Sequence, residues 1–433
     1  RQQGHLEDAI ACYRGALEFA PDHLEALDHL GETLQAAGRM NEALDCYRAV
    51  LARKPDHPEA HYRLGTVFVT LDRLTEAVVS FEAALALAPD HVDALAELGI
   101  ALQGLGRFNE AEQRFRRAAD LDAANPDTRF NLGSALRAQG KLEEAIACFG
   151  EILSVWPDHV KTLNNLGNTL IDTQDIEAAA ACFRRMIAAD PENVLGYYNL
   201  GLTLRVLRRY DEAIAVFEKV MALKPDYVEA LNDLGLTFLD QGKVEQALAC
   251  FRQAPALRPD YADARLSLGL ALLYLGRFED GWRDFEARFD TTPPKAIRQP
   301  FASPRATRET LGSTKKLAVW AEQGLGDQML YSSLIPELIA SGVNFVFEVD
   351  RRLLAVYRRS FPGHDFVPRE EASAALLAAA DANIPVGSLP ALFRNRQEDF
   401  LRQPAKFLDS DPEQRAGFRR RLVAAGCGLK VAI

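Results

Sequence analysis

Two carboxylates share one short glycine-bearing stretch, Glu322-Gln323-Gly324-Leu325-Gly326-Asp327, between the apolar run Leu317 to Ala321 and a helical pattern from Gln328 to Ser341. Glycines between a strand and a helix let backbone approach a ligand closely, and the helix amides face whatever lies at the carboxyl ends of the strands. An aspartate there could act as a base or could equally cap the helix. Neither a dinucleotide nor a P-loop nucleotide is indicated, because Gly324 and Gly326 lack a third glycine and no Gly-Lys-Ser/Thr follows. A second set of candidates is amide in character. Asn131, Asn165 and Asn199 recur at a spacing of 34 residues, with Asn164, Asn168 and Asn232 close to the same positions. Each amide offers donors and an acceptor, the complement of an extended peptide backbone of any sequence.

Cysteine and histidine assemble no comparable chemistry. Cys12, Cys46, Cys148, Cys182 and Cys250 fall at one position of the 34-residue period. Helices in contact lie about 8–10 Å apart, whereas a disulfide needs Cα atoms within roughly 7 Å, so these thiols are expected to fill a core in a reducing compartment. His23, His57, His91 and His159 likewise share one position at a helix start, and neither a metal site nor a cofactor is expected.

The elements that position these residues follow from the same period. An aromatic returns every 34 residues from Tyr13 and Tyr47 through Phe81, Phe115, Phe149, Phe183, Phe217 and Phe251 to Phe285. Leu-Gly pairs keep the beat from Leu30-Gly31 to Leu268-Gly269, and prolines do so from Pro21 to Pro293, with Pro126 displacing one break. Each period holds two amphipathic stripes, so two helices are expected per repeat, with Gly38, Gly106, Gly140, Gly242 and Gly276 in the turn between them. Aspartates of the Pro-Asp-His triplets are expected to cap the following helix. Strict repetition of this length means a solenoid, in which each unit buries its apolar face against its neighbours.

The period, the Leu-Gly pair, the small Ala43, Ala77, Ala111, Ala145 and Ala213, the aromatic four residues later and the closing proline resemble the tetratricopeptide repeat (TPR) family over residues 1–293. The resemblance implies an α-α superhelix of about eight and a half repeats. It also implies that the residue before each Leu lines a concave groove: His29, Arg63, Glu97, Asn131, Asn165, Asn199, Asp233 and Ser267. Asn164, Asn168 and Asn232 are expected to thicken that patch, and Phe130, Tyr198 and Tyr62 to add apolar surface. The asparagine row resembles that of eukaryotic O-linked N-acetylglucosamine transferases, although asparagine before Leu-Gly is frequent in such repeats of every function.

The last repeat departs in wording, with Asp280-Gly281-Trp282 and two further aromatics, as a terminal cap requires. A Pro-rich linker, 294–314, is expected to run extended. From Lys315 strands alternate with helices: after Gln328–Ser341 come Asn344–Val349, Arg351–Phe361, Phe366–Val367, Ala372–Ala380, Ile384–Val386, Leu389–Arg396 and a helix over Glu413–Ala424. This predicts a partial α/β, Rossmann-like lobe over 315–428. Residues 429–433 read as the opening strand of a second lobe, and Arg1 falls inside an incomplete repeat, so the sequence is expected to be a piece of a longer protein. The carboxyl part resembles the N-terminal half of GT-B glycosyltransferases of the bacterial heptosyltransferase kind. That resemblance implies Asp327 as general base, Glu322 as a second carboxylate, and Gln323, Gly324, Gly326 and Gln328 around the acceptor. A nucleotide sugar would be held by the missing second lobe and a protein acceptor by the groove. The alternative is a non-catalytic interaction scaffold with a degenerate lobe.

Charge narrows the partners. Residues 1–294 carry 30 Lys+Arg against 46 Asp+Glu, and residues 295–433 carry 20 against 15. An acidic solenoid repels phosphate backbones, so nucleic acid is not expected. With no long apolar run and no leader pattern, a cytoplasmic location is expected.

Overall fold

Every 34-residue period folds as a pair of helices. A first helix, α1 (Gln2–Phe19), is followed by α2 (Leu24–Ala36) and α3 (Met40–Arg53), α4 (Pro58–Thr70) and α5 (Leu74–Leu87), and α6 (Val92–Gly104) and α7 (Phe108–Leu121). Next come α8 (Pro126–Ala138) and α9 (Leu142–Val155), α10 (Val160–Asp172) and α11 (Ile176–Ala189), and α12 (Val194–Val206). The series continues with α13 (Tyr210–Leu223), α14 (Val228–Asp240), α15 (Val244–Leu257), α16 (Ala262–Tyr274) and α17 (Phe278–Phe285). The computed structural model describes residues 2–122, 125–296, 299, 301–322, 324–369, 371–401, 408–409, 412–413 and 416. The chain divides into two units between Arg209 and Tyr210.

The Leu-Gly pair and the aromatic turn out to be one device. A Cβ added to Gly65 or Gly99 would stand 2.5 Å from a ring carbon of Phe81 or Phe115, and both rings are fully buried. The bare glycine face is what lets the second helix of each pair lay its ring on the first. Turns use left-handed residues throughout: Gly38, Gly106, Gly140, Gly242 and Gly276 at φ 74–79°, and, where glycine is missing, Asp72, Gln174 and Arg208 at φ 57°, 65° and 59°.

Helix capping differs from the expectation. His23, His57 and His91, not the aspartates before them, cap α2, α4 and α6, each Nδ1 accepting the amide N–H of Ala26, Ala60 or Ala94 at 3.2–3.3 Å. Asp22 and Asp90 instead accept from Arg53 and Arg117, both at 2.6 Å. The cysteines are only partly core: Cys46, Cys182 and Cys250 are buried, Cys148 half-buried and Cys12 exposed. Burial pushes the Cys46 and Cys250 thiols up to about 11, which leaves them unreactive at neutral pH. Among the described residues no cluster of His, Cys, Asp and Glu could hold a metal ion.

In the second unit α17 runs into a 3-10 turn, Glu286–Phe289. Four parallel strands follow, β1 (Lys316–Trp320), β2 (Asn344–Val349), β3 (Asp365–Pro368) and β4 (Ala382–Pro385), in the order β3-β2-β1-β4. Leu317 pairs with Phe345 on one side and Ala382 on the other. The helices between them are α18 (Arg308–Leu311), α19 (Leu325–Tyr331), α20 (Ile335–Ala340), α21 (Arg351–Ser360), α22 (Glu371–Ala378), α23 (Leu389–Phe393) and α24 (Gln397–Phe400). Leu317, Val319, Phe345, Phe347 and Ile384 pack one face of the sheet onto Ile335, Leu338 and Tyr357.

Two expectations change here. The single helix foreseen over Gln328–Ser341 is broken into α19 and α20 by a 3-10 turn, because Pro336 has no N–H to continue the ladder. Within 294–314, Ala306 donates to Asn383 (2.8 Å) and Asn383 to Pro304 (2.9 Å), so this segment covers the edge of β4 instead of merely crossing the surface. The strand expected at 429–433, and the helix foreseen at Glu413–Ala424 apart from Glu413 and Ala416, lie outside the described residues.

Candidate functional site

Asn131, Asn165 and Asn199 stand half-buried on α8, α10 and α12, one position before the leucine of each Leu-Gly pair. Helical spacing puts Asn165, Asn168 and Asp172 on one face of α10, as it puts Asn131 and Ser134 on one face of α8. Among the described residues, the side chains of Asn131, Asn165 and Asn168 form no hydrogen bond. Asn199 does form one, donating to Asn164 at 2.8 Å, so those two amides partly satisfy each other. Beside Asn165 lies an open depression of about 270 Å³ framed by Ser134, Arg137 and Asp172. Arg137 donates to Asp172 at 2.8 Å, and the Ser134 hydroxyl is buried without a partner among the described residues.

Other expected groove residues serve the fold more than the surface. Tyr62 lies 4.8 Å from the His91 ring, and Phe130 lies 6.4 Å from the His159 ring and 6.0 Å from Phe149. These half-buried aromatics brace the start of the next first helix, so they offer less free apolar surface than expected. Tyr198 is half-buried. Asn232 contradicts its expectation, since only 6% of it is exposed and its Oδ1 has no partner among the described residues. Arg63 is enclosed by Glu32, by Glu59 at 2.9 Å and by Asp28 at 3.8 Å. The row is therefore closed by its own ion pairs at Arg63 and open at the asparagines.

The loop after β1 holds its two carboxylates very differently. Asp327 is exposed in the first turn of α19, where the N-cap is Gly324, so Asp327 does not cap the helix. Gly324 and Gly326 are exposed, and a Cβ at either would meet nothing within 4 Å. Glu322 is buried, its side chain showing 0% exposure. Gln323 lies outside the described residues.

Family profiles described as tetratricopeptide repeat match residues 29–92, 68–129, 122–192 and 164–228, and one described as TPR repeat matches 235–276, together more than half of the chain. The chain is a tetratricopeptide repeat protein. It is 27% identical over 168 residues to Protein FlbA of Caulobacter vibrioides, a match that takes in 36% of this chain and only 28% of that relative's length. Solved structures with similar folds include the C-terminal part of a TPR repeat-containing protein from Cytophaga hutchinsonii, 18% identical over 55% of this chain and 98% of that one at a TM-score of 0.48. They also include the APC/C hetero-tetramer Cut9-Hcn1, 19% identical over 62% of this chain and 52% of that one at a TM-score of 0.43. None of these likenesses bears on partner or chemistry. Tetratricopeptide repeats are modules that bind proteins and peptides on an extended surface. No described helix is long and apolar enough to cross a membrane.

Beyond the matched ranges, the loop after β1 meets the 3-10 turn that follows α17 through a buried ion pair. Ligands of open parallel sheets lie where the strand order reverses, here between the carboxyl ends of β1 and β4. Glu322, just after β1, accepts the Gly387 N–H from the loop after β4 at 2.9 Å and the Arg288 guanidinium at 2.8 and 3.0 Å. Arg288 is 1% exposed, lies over the rings of Phe285 and Phe289 at 4.4 and 4.2 Å, and donates to Ser388 at 2.8 Å. Burial raises the Glu322 carboxyl above the ordinary value although Arg288 pulls it down.

A carboxylate this enclosed touches no substrate, so the catalytic role expected of Glu322 gives way to holding the two loops together. Gln328 is likewise withdrawn from substrate contact. It is buried, its Oε1 accepting the Asp350 N–H and its carbonyl the Tyr357 hydroxyl, both at 2.8 Å. Arg288 was missed from the sequence, although a signal was there: Val50, Ala84, Ala118, Ile152, Met186, Val220 and Ala254 occupy its register position in the other repeats, all buried.

Proposed function

We propose that the chain is a peptide-gripping scaffold whose α8–α12 face takes an extended segment of a partner protein by its backbone. What carries this reading is the set of half-buried, unbonded amides of Asn131, Asn165 and Asn168 beside the unpartnered Ser134 hydroxyl. A side-chain amide carries the same donor and acceptor as a peptide unit, so pairing demands no particular partner side chain. Half-buried groups also have less water to shed on binding. The test is a peptide selected from an unstructured library on the full chain, titrated calorimetrically. Replacing Asn131, Asn165 and Asn168 together by alanine is expected to weaken it at least roughly a hundredfold, three lost hydrogen bonds at about 1 kcal/mol each. Unchanged affinity would place the partner on another face.

The exposed carboxylate of Asp327, in the first turn after the leading strand, favours a second, catalytic reading. Here residues 1–293 recruit a cytoplasmic protein acceptor, 294–314 connect, and 315–428 form the amino-terminal lobe of a GT-B glycosyltransferase. Asp327 takes the proton from an acceptor hydroxyl as the hydroxyl oxygen bonds to the anomeric carbon of a nucleotide sugar and the anomeric C–O bond breaks, releasing the nucleoside phosphate, while Glu322, Arg288 and Gln328 fix the loop that carries it. Asp327→Asn should then lower sugar transfer at least about a hundredfold without loss of fold. Equal turnover in the variant would remove Asp327 from the chemistry.

A further inference from the structure

At the carboxyl end of β4, the last repeat, the segment covering the sheet edge and α23 line a half-open pocket of about 330 Å³. Its lining combines the apolar Trp282, Ile384 and Leu392 with the polar Glu286, Arg305 and Ser388. We propose that this cavity binds one small uncharged polyol ring, a monosaccharide or a molecule of the same chemistry. Neither Asp327 nor any asparagine of the row is among its lining residues, so the proposal is tested separately from both readings above.

Size, charge and organisation support the assignment together. The volume of about 330 Å³ sits at the low end of the roughly 300–1,000 Å³ common for ligand pockets, which suits a single ring. Glu279, Glu286 and Glu309 balance Arg283, Arg305 and Arg308 around the rim, so an ionic ligand gains no net field. Hydroxyl groups, which both donate and accept, can use carboxylate and guanidinium alike. A sugar ring pairs an apolar C–H face with a polar edge, which suits a lining that combines an indole with charged and hydroxyl groups.

The polar lining residues are also organised in advance of any ligand. Glu286 Oε1 accepts from the Ser388 hydroxyl and from Arg288 at 2.9 Å. Arg305 lies 5.2 Å from the Phe289 ring and 5.4 Å from the Trp320 ring, with Nη2 at 3.4 Å from Glu286. Trp282 is tied to the Arg394 carbonyl at 2.8 Å through its indole N–H. Side chains already held in place lose little freedom on binding, so the ordering cost falls mainly on a rigid ring that has little to lose.

Saturation-transfer NMR on the full chain tests this, with glucose, mannose and N-acetylglucosamine as neutral probes and glucuronate and glucosamine as charged counterparts. At least one neutral ring is expected to receive transfer at tens of millimolar, and its charged counterpart to compete roughly tenfold less well. Ala391→Phe, which fills the cavity from α23, should abolish the signal. Because overfilling can unfold a site, Arg308→Ala on the exposed short helix is the second variant, expected to weaken binding by roughly tenfold with an unchanged melt. No transfer to any neutral ring, equal binding of the charged counterparts, or transfer that survives a folded variant unchanged would each overturn the proposal.

Discussion

Adding one methyl group at Gly99 places a Cβ 2.5 Å from the fully buried ring of Phe115. Gly99→Ala is therefore expected to destabilise the first unit by about 1–3 kcal/mol, measured by urea unfolding, because the enclosed ring has nowhere to move. The opposite sign is expected at Gln174, held at φ 65°. Gln174→Gly should stabilise by about 1 kcal/mol, the cost of a left-handed turn for a residue with a Cβ. The glycine–aromatic pair was legible in the sequence because a close approach leaves a rigid 34-residue signature. The histidine caps were not, because histidine is not among the residues that prefer that position, and the aspartate beside each one is a stronger sequence signal. Arg288 could have been read as a charge at a register position otherwise held by buried apolar residues. What it binds could not, since Glu322 and Ser388 reach it only through the fold.

Between repeats, the junction of α7 with α8 and α9 depends on one buried carboxylate. Burial alone would raise Glu112, but Lys141 at 2.6 Å, Gln139 at 2.9 Å and Arg116 hold it below the usual carboxylate range. A depressed acid contributes stability above its unfolded value of about 4.3 and loses it as pH falls through the folded value. Protection of the amides in α7–α9, measured against their intrinsic exchange rate, should therefore fall in acid, and Glu112→Gln should remove that part of the pH dependence. In the second unit, α19 carries exposed glycines that its own geometry does not require. Gly326→Ala is expected to leave the fold intact or firmer by up to about 1 kcal/mol, so any loss of ligand binding in that variant reads contact at the loop directly. Strand β2 was legible residue for residue from its apolar run. The break between α19 and α20 was foreseeable from Pro336, while the covering of β4 by Pro304–Ala306 depends on long-range pairing that no local pattern reveals.

Across the whole molecule, the last tetratricopeptide helix is part of what folds the sheet. A fragment beginning at Pro294 loses Arg288 and leaves the buried Glu322 without its cation, whereas one beginning at Tyr210 keeps the pair. Removing one partner of a buried pair costs about 3–5 kcal/mol, so the shorter fragment is expected to lack a cooperative melt by circular dichroism and the longer one to retain it. The central claim concerns the other end of the chain, where the open amides of Asn131, Asn165 and Asn168 grip backbone and not side chains. It is tested most directly by comparing, in one calorimetric series on the full chain, a selected peptide with its alanine-scanned and its backbone N-methylated forms. Backbone recognition predicts that methylating alternate peptide nitrogens abolishes binding while single alanine replacements change it little. Tight binding by the methylated peptide, with one or two side chains carrying the affinity, would contradict it.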